Sequence, residues 1–168
     1  LGPGATFHGD HQVTAKLPGS TRTAFPWHQD TWYYGVEARH LHVVTVWMPL
    51  VPTSPANGCL GVIPGSHRWG LLPAHRDHPD LNVRCLVDVA ARGPVLDLAL
   101  QPGDVVLLSN LTFHGSGVNR SSGVRWSMDL GFSATAPRTT DPTGIPTGSG
   151  PDPGPTGPEG FAPGRPVA

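Results

Sequence analysis

The amino-acid sequence predicts an all-β domain, either a barrel or a double-sheet jelly roll, on three observations. Short apolar runs alternate with turn signals, β-branched residues crowd those runs, and helical periodicity is almost absent. Runs of this kind make about seven or eight strands with few helices, the pattern of closed or two-layered antiparallel folds.

The elements follow in chain order. A first strand carries Gln12 and ends near Lys16 and Pro18, because proline cannot donate to a ladder. A second holds WHQD at 27–30, where alternation would point His28 and Asp30 to one face and Gln29 to the other. HVVTVWMPL at 42–50 is rich in β-branched residues, and the SPANG turn at 54–58 separates it from CLGVI at 59–63. After the PGSH turn at 64–67, residues 76–92 are the only helical candidate. PVLDLAL at 94–100 and DVVLLSN at 104–110 flank QPGD, a tight hairpin signal. Leu107, Leu108 and Leu111 lead into a strand that starts at His114, and NRSSG at 119–123 is expected to fold VRWSMDLGF, 124–132, back beside it. On that last strand Arg125 and Ser127 face one way. Trp126, Met128 and Leu130 face the other, an apolar stripe expected to pack on helices.

Composition bounds the domain count and the partners. A length of 168 residues suits one domain with a respectable core. The chain opens on Leu1, with the first strand close behind, so an upstream helical segment is expected to be missing. A formal charge of −1, with 14% charged residues, gives no basic footprint for nucleic acid and favours a small-molecule partner. Cys59 and Cys85 form neither a CxxC nor a disulfide framework, which suggests free thiols in a reducing compartment. No apolar run approaches the roughly 18 residues needed to span a bilayer, so the expected setting is the cytoplasm and not a membrane. Gly 22 and Pro 20 make up a quarter of the chain and concentrate after Ala134. The organisation read from this is a folded domain over 1–133 and a Pro/Gly-rich tail or lid over 134–168.

Chemistry concentrates in three places. Two histidines and one carboxylate bound to one side of a metal leave the opposite positions open, the facial arrangement of non-haem Fe(II) oxygenases. His28, Asp30 and His114 are the candidate set. An isolated HxD is better explained by a half-buried strand whose side chains bond their neighbours, so the motif by itself is weak. Arg125 is the independent indication, since a planar, permanently charged guanidinium binds a carboxylate bidentately and could hold the far end of a metal-chelating dicarboxylate.

WHQD, the PGSH turn and the block GDVVLLSNLTFHGSGVNRSSGVRWSMDLGF resemble the phytanoyl-CoA dioxygenase family over roughly residues 12 to 132. The resemblance implies a double-stranded β-helix, cupin-like in layout, and an oxygenase using Fe(II), 2-oxoglutarate and O2. It implies that His28, Asp30 and His114 ligate iron and that Arg125 pairs with the distal carboxylate of 2-oxoglutarate. By the same resemblance Ser116 bonds that carboxylate, Trp47 lines the cosubstrate pocket, and Gln12 lies near the iron-bound end. Gln29, between the two ligands, supports them from behind. Apart from the resemblance, Trp32, Tyr33 and Tyr34 follow the HxD and Trp69 follows PGSH, so they are candidates to wall the pocket mouth, and packing explains them about as well. An intact Asp30 favours hydroxylation, because halogenating relatives carry a small residue there.

The expected function is therefore hydroxylation of an aliphatic C–H in a small organic metabolite, with release of succinate and CO2. A coenzyme-A ester would need clustered phosphate-binding cations, and the 11 basic residues are scattered. The alternative is a cupin-like metal-binding domain that is non-catalytic or non-oxidative. Arg125 argues against it, since hydrolysis has no use for a remote carboxylate clamp.

Overall fold

A computed structural model of the chain describes residues 4–76 and 83–137. Ten strands are seen among them: β1 (Thr6–Lys16), β2 (Phe25–His28), β3 (Leu41–Pro49), β4 (Leu60–Val62), β5 (Ala74–Arg76), β6 (Val83–Cys85), β7 (Leu96–Leu98), β8 (Val106–Ser109), β9 (His114–Ser116) and β10 (Arg125–Pro137). Eight of them form two antiparallel four-stranded sheets, ordered β1-β10-β3-β8 and β2-β9-β4-β7, and β5 pairs with β6 apart from these. This is the expected jelly roll.

Alternation along the strands explains the layering. On β3 the inward positions Val43, Trp47 and Pro49 are buried, and on β10 Arg125 and Ser127 are buried while Trp126 between them is 42% exposed. The main core cluster joins Trp47 and Leu108 of the first sheet to Leu60 and Val62 of the second, so the sheets face each other across it. A second cluster of Ile63, Val89 and Phe113, with Trp27 and Trp69 against it, seats the PGSH segment on the second sheet. The outer face of the first sheet is apolar, as expected, and Val13 and Leu107 on it are 55% and 67% exposed.

Three expectations are corrected. The 76–92 segment is not helical where it is described: β5 and β6 form a two-stranded ladder, and only Ala90–Arg92 makes a 3-10 turn. The one α-helix among the described residues is α1 (Thr31–Tyr34), directly after WHQ and Asp30. The QPGD and NRSSG turns do not close hairpins. β7 and β9 belong to the second sheet and β8 and β10 to the first, so each turn carries the chain across the sandwich. In a jelly roll, chain neighbours need not be ladder neighbours. β10 runs on to Pro137, and the tail from 138 onward lies outside the described residues.

Two buried contacts hold the loops that frame the second sheet. Gln29, fully buried, donates from Nε2 to the carbonyls of Gly70 and Leu111 at 2.8 Å each and accepts from the Leu72 amide at 2.9 Å. Gly58 ends the turn before β4 in the left-handed region, at φ 71°, and a Cβ there would stand 2.6 Å from the Gly117 carbonyl oxygen and 2.8 Å from Lys16 Cδ. Gln29→Leu, which leaves two carbonyls and an amide without partners, should cost about 3 kcal/mol or more in denaturant unfolding. Gly58→Ala combines left-handed strain with a backbone clash, and should lower stability by about 2 kcal/mol in the same measurement.

Candidate active site

His28 ends β2 and His114 opens β9, and the two residues are register partners in the second sheet. Their imidazoles therefore stand side by side, with ring centroids 4.3 Å apart. Asp30 reaches them by a different route from the one expected. It lies beyond the end of β2 with φ −62° and ψ −23°, at the entry to α1, so a helical turn and not strand alternation swings its carboxylate to the histidines. Asp30 Oδ1 is 3.5 Å from His28 Nε2 and 3.3 Å from His114 Nε2. All three residues are buried.

Each imidazole is held in one orientation from behind. His28 Nδ1 lies 2.7 Å from the Pro26 carbonyl oxygen and His114 Nδ1 lies 3.0 Å from that of Thr112. With Nδ1–H donating to those carbonyls, both Nε2 lone pairs point at the same space. Although Asp30 occupies the N-cap position, its side chain makes no capping bond; Oδ2 instead accepts a hydrogen bond from Thr45 Oγ1 on β3.

Electrostatics follow from this packing. Burial works to raise the Asp30 pKa, but His114 and His28 outweigh it and hold the carboxyl well below the usual carboxylate range. Burial, with His114 beside it, lowers His28. Burial works to lower His114 too, yet Asp30 prevails and raises it. The site thus holds an ionised acid between two imidazoles, at least one of which resists protonation.

The donor set fits a metal ion. The three ligand atoms lie within 4.8 Å of one another. Adjacent ligands at about 2.1 Å from a six-coordinate ion stand about 3 Å apart, close to the Nε2–Oδ1 separations here. Two nitrogens and one oxygen on one side suit Fe(II).

Behind this cluster lies a second, cationic one. Arg125, 3% exposed, donates from one terminal nitrogen to Ser127 Oγ at 2.7 Å and from the other to the Gly58 carbonyl at 3.1 Å. Its guanidinium carbon sits 5.6 Å from the centroid of the Trp47 ring, and Nε has no hydrogen-bond partner among the described residues. Lys16, completely buried, donates to the Gly117 carbonyl at 2.8 Å and to that of Thr23. Burial and the neighbouring Arg125 push the Lys16 ammonium down to about 7, and burial also lowers Arg125. Arg125 is the fixed cation here: its hydrogen-bond acceptors are neutral oxygens, and the nearby Asp129 carboxylate favours its charge without a direct bond to it among those described, so the guanidinium suits an anion.

One cavity of about 470 Å³ joins the two clusters, with His28, Asp30 and His114 at one side and Arg125 at the other. Gln12, Trp47 and Ser116 line it, and so does Tyr34. Gln29 does not line it; its amide is taken up by Gly70, Leu111 and Leu72. Trp32 is a correction: its indole N–H donates to the Leu72 carbonyl at 3.1 Å and its side chain is not part of the cavity wall. Tyr33 does line the cavity, and its ring meets His28 edge-on at 5.6 Å.

Four residues with a part in the site were not singled out from the sequence. Ser127 and Asp129 share the inward face of β10 with Arg125, so two-residue alternation from the arginine was the available signal. Thr45 alternates in the same way with Trp47. Lys16 gave none, because a lysine is almost never fully buried.

Comparison with known proteins agrees with this geometry. The family model described as phytanoyl-CoA dioxygenase (PhyH) matches residues 4–127. A probable phytanoyl-CoA dioxygenase of Caenorhabditis elegans is 31% identical over 118 residues, covering 68% of this chain and 38% of that protein. The 1-deoxypentalenic acid 11-beta-hydroxylase of Streptomyces arenae is 31% identical over 142 residues, covering 73% of this chain and 49% of that protein. Among solved structures, EvdO2 from Micromonospora carbonacea var. aurantiaca, complexed with 2-oxoglutarate, superposes with a TM-score of 0.65 at 27% identity, over 80% of this chain and 53% of that one. The chain spans less than half the length of the two curated relatives and about half of that solved chain. With both sequence and fold matched across its described core, the chain belongs to the phytanoyl-CoA dioxygenase family.

Proposed function

We propose that this chain carries the catalytic core of an Fe(II)/2-oxoglutarate-dependent oxygenase that hydroxylates an aliphatic C–H of a small organic metabolite. The observation that carries the reading is the single cavity with a three-donor metal set at one side and a buried guanidinium at the other. Neither feature alone would select this chemistry; together they match a cosubstrate with a chelating head and a carboxylate tail.

In this reading His28, Asp30 and His114 hold Fe(II). Bound there with 2-oxoglutarate, the iron would activate O2, coupling decarboxylation of the cosubstrate to succinate and CO2 with hydroxylation of the substrate. The chain's own residues do the rest. Arg125 takes the distal carboxylate, whose charge it is already placed to neutralise, and Ser127 keeps the guanidinium aimed. Ser116 adds a hydroxyl on the opposite wall, Trp47 forms an apolar side, and Gln12 faces the metal end. Burial of the three ligands excludes bulk water from the reacting space.

The proposed substrate is small and polar. Gln12, Thr14, Tyr33, Tyr34 and Asp129 line the cavity together with Phe25, Trp47, Leu60 and Leu130, which supports a small molecule carrying polar groups as well as an apolar part. The 2-oxoglutarate in the EvdO2 structure and the hydroxylase activity in the name of the Streptomyces relative support cosubstrate and reaction type. A cytoplasmic setting is part of the same proposal, in keeping with Cys59 and Cys85 as free thiols; no helix among the described residues is long and apolar enough to cross a membrane.

The test is anaerobic addition of Fe(II) and then 2-oxoglutarate. A weak visible charge-transfer band, bleached by O2 with succinate formed, is the expected result, and a metal-bound protein with neither band nor succinate would contradict the proposal. Arg125→Ala should raise the 2-oxoglutarate concentration for half-maximal band formation by about tenfold or more while leaving Fe(II) affinity nearly unchanged. His114→Ala should abolish Fe(II) binding in the same titration.

A further inference from the structure

Asp30 is held by more than its two histidine neighbours, and the third contact bears on how many coordination positions the site leaves free. Thr45 sits at the middle of β3, flanked by β10 and β8, where its register partners are Gly131 and Leu108. An interior strand fixes its backbone, and β-branching restricts its χ1. Its hydroxyl donates to Asp30 Oδ2, while Asp30 Oδ1 is the oxygen that faces both imidazole Nε2 atoms. The two carboxylate oxygens are thereby given different tasks.

We propose that Thr45 is a positioning residue that keeps Asp30 a one-oxygen ligand. The inference rests on the reading of His28, Asp30 and His114 as an Fe(II)/2-oxoglutarate centre. Two imidazoles and one carboxylate oxygen fill three of six positions, leaving two for a chelating keto acid and one for O2. A carboxylate free to rotate can bind through both oxygens, and that would remove one of the three. The Thr45 hydroxyl engages the second oxygen and draws it towards β3. Thr45 therefore protects cosubstrate binding without itself touching the metal. Removing it should affect the metal and the cosubstrate differently, because the displaced oxygen can still bind the ion.

The test compares Thr45→Val, which keeps the shape and loses the hydroxyl, with Thr45→Ser, which keeps the hydroxyl, in the full chain. Fe(II) affinity is measured anaerobically by competition with a chromophoric chelator, and 2-oxoglutarate affinity by formation of the charge-transfer band. For Thr45→Val we expect Fe(II) affinity equal to or tighter than wild type and a 2-oxoglutarate requirement raised about tenfold. Thr45→Ser should restore the wild-type requirement. Thermal unfolding of both variants identifies any loss that comes from misfolding, in which case the serine variant alone decides the matter against wild type. Unchanged 2-oxoglutarate affinity in the valine variant overturns the inference, as does an equal fall in metal and cosubstrate affinity, or a serine variant that behaves like valine. If wild type binds Fe(II) but forms no band, the reading beneath falls and takes this inference with it. A wild-type band that the valine variant reproduces sinks the inference alone.

Discussion

The site depends on one ionised carboxylate, Asp30, placed where two imidazoles from neighbouring strands converge. His28 and His114 come from register partners in one sheet, and Thr45, which engages the other carboxylate oxygen, comes from the facing sheet. The cluster therefore joins the two layers of the jelly roll. In a metal-free state this is a buried charge kept ionised by its imidazole neighbours. Such a group is costly unless a cation completes it. The two backbone carbonyls behind the imidazoles matter for the same reason: they turn both Nε2 atoms towards the acid, and that orientation is the one a metal needs.

Across the cavity the balance is reversed. Arg125 puts a guanidinium into the interior beside neutral oxygens and the Asp129 carboxylate, and burial together with its charge lowers the neighbouring Lys16. One wall is prepared for a cation and the other for an anion, with an aromatic ring, Trp47, between them. A metal ion relieves the first, and the far carboxylate of a keto diacid chelated to that ion would relieve the second. Much of this polarity is built from residues on a few facing strands, with Asp30 supplied from the turn after β2.

Much of this was legible in the sequence because strand alternation and ligand chemistry leave local marks. The runs at 42–50, 59–63, 104–110 and 124–132 coincide with β3, β4, β8 and β10, and Trp126 is exposed opposite buried Arg125. What was hidden has physical causes. QPGD and NRSSG are real turns, but turn chemistry specifies a reversal and not whether the flanking strands pair or cross to the facing sheet. Asp30 was placed on a strand because α1 is only four residues long, too short to show a helical period, and for the same reason Trp32 could not be told from Tyr33 and Tyr34 as a cavity residue. Lys16 could not be read as interior, since nothing local announces that two carbonyls distant in sequence will meet its ammonium.

The central claim is that one cavity grips a metal at one end and a keto diacid at the other. The most direct measurement is a crystal structure of the chain grown anaerobically with Fe(II) and 2-oxoglutarate, with anomalous data collected at the iron edge. A single anomalous peak within coordination distance of His28 Nε2, His114 Nε2 and one oxygen of Asp30, with the distal carboxylate of 2-oxoglutarate on Arg125, is the result this account predicts. Iron bound elsewhere, or a cosubstrate whose far carboxylate avoids Arg125, would contradict it.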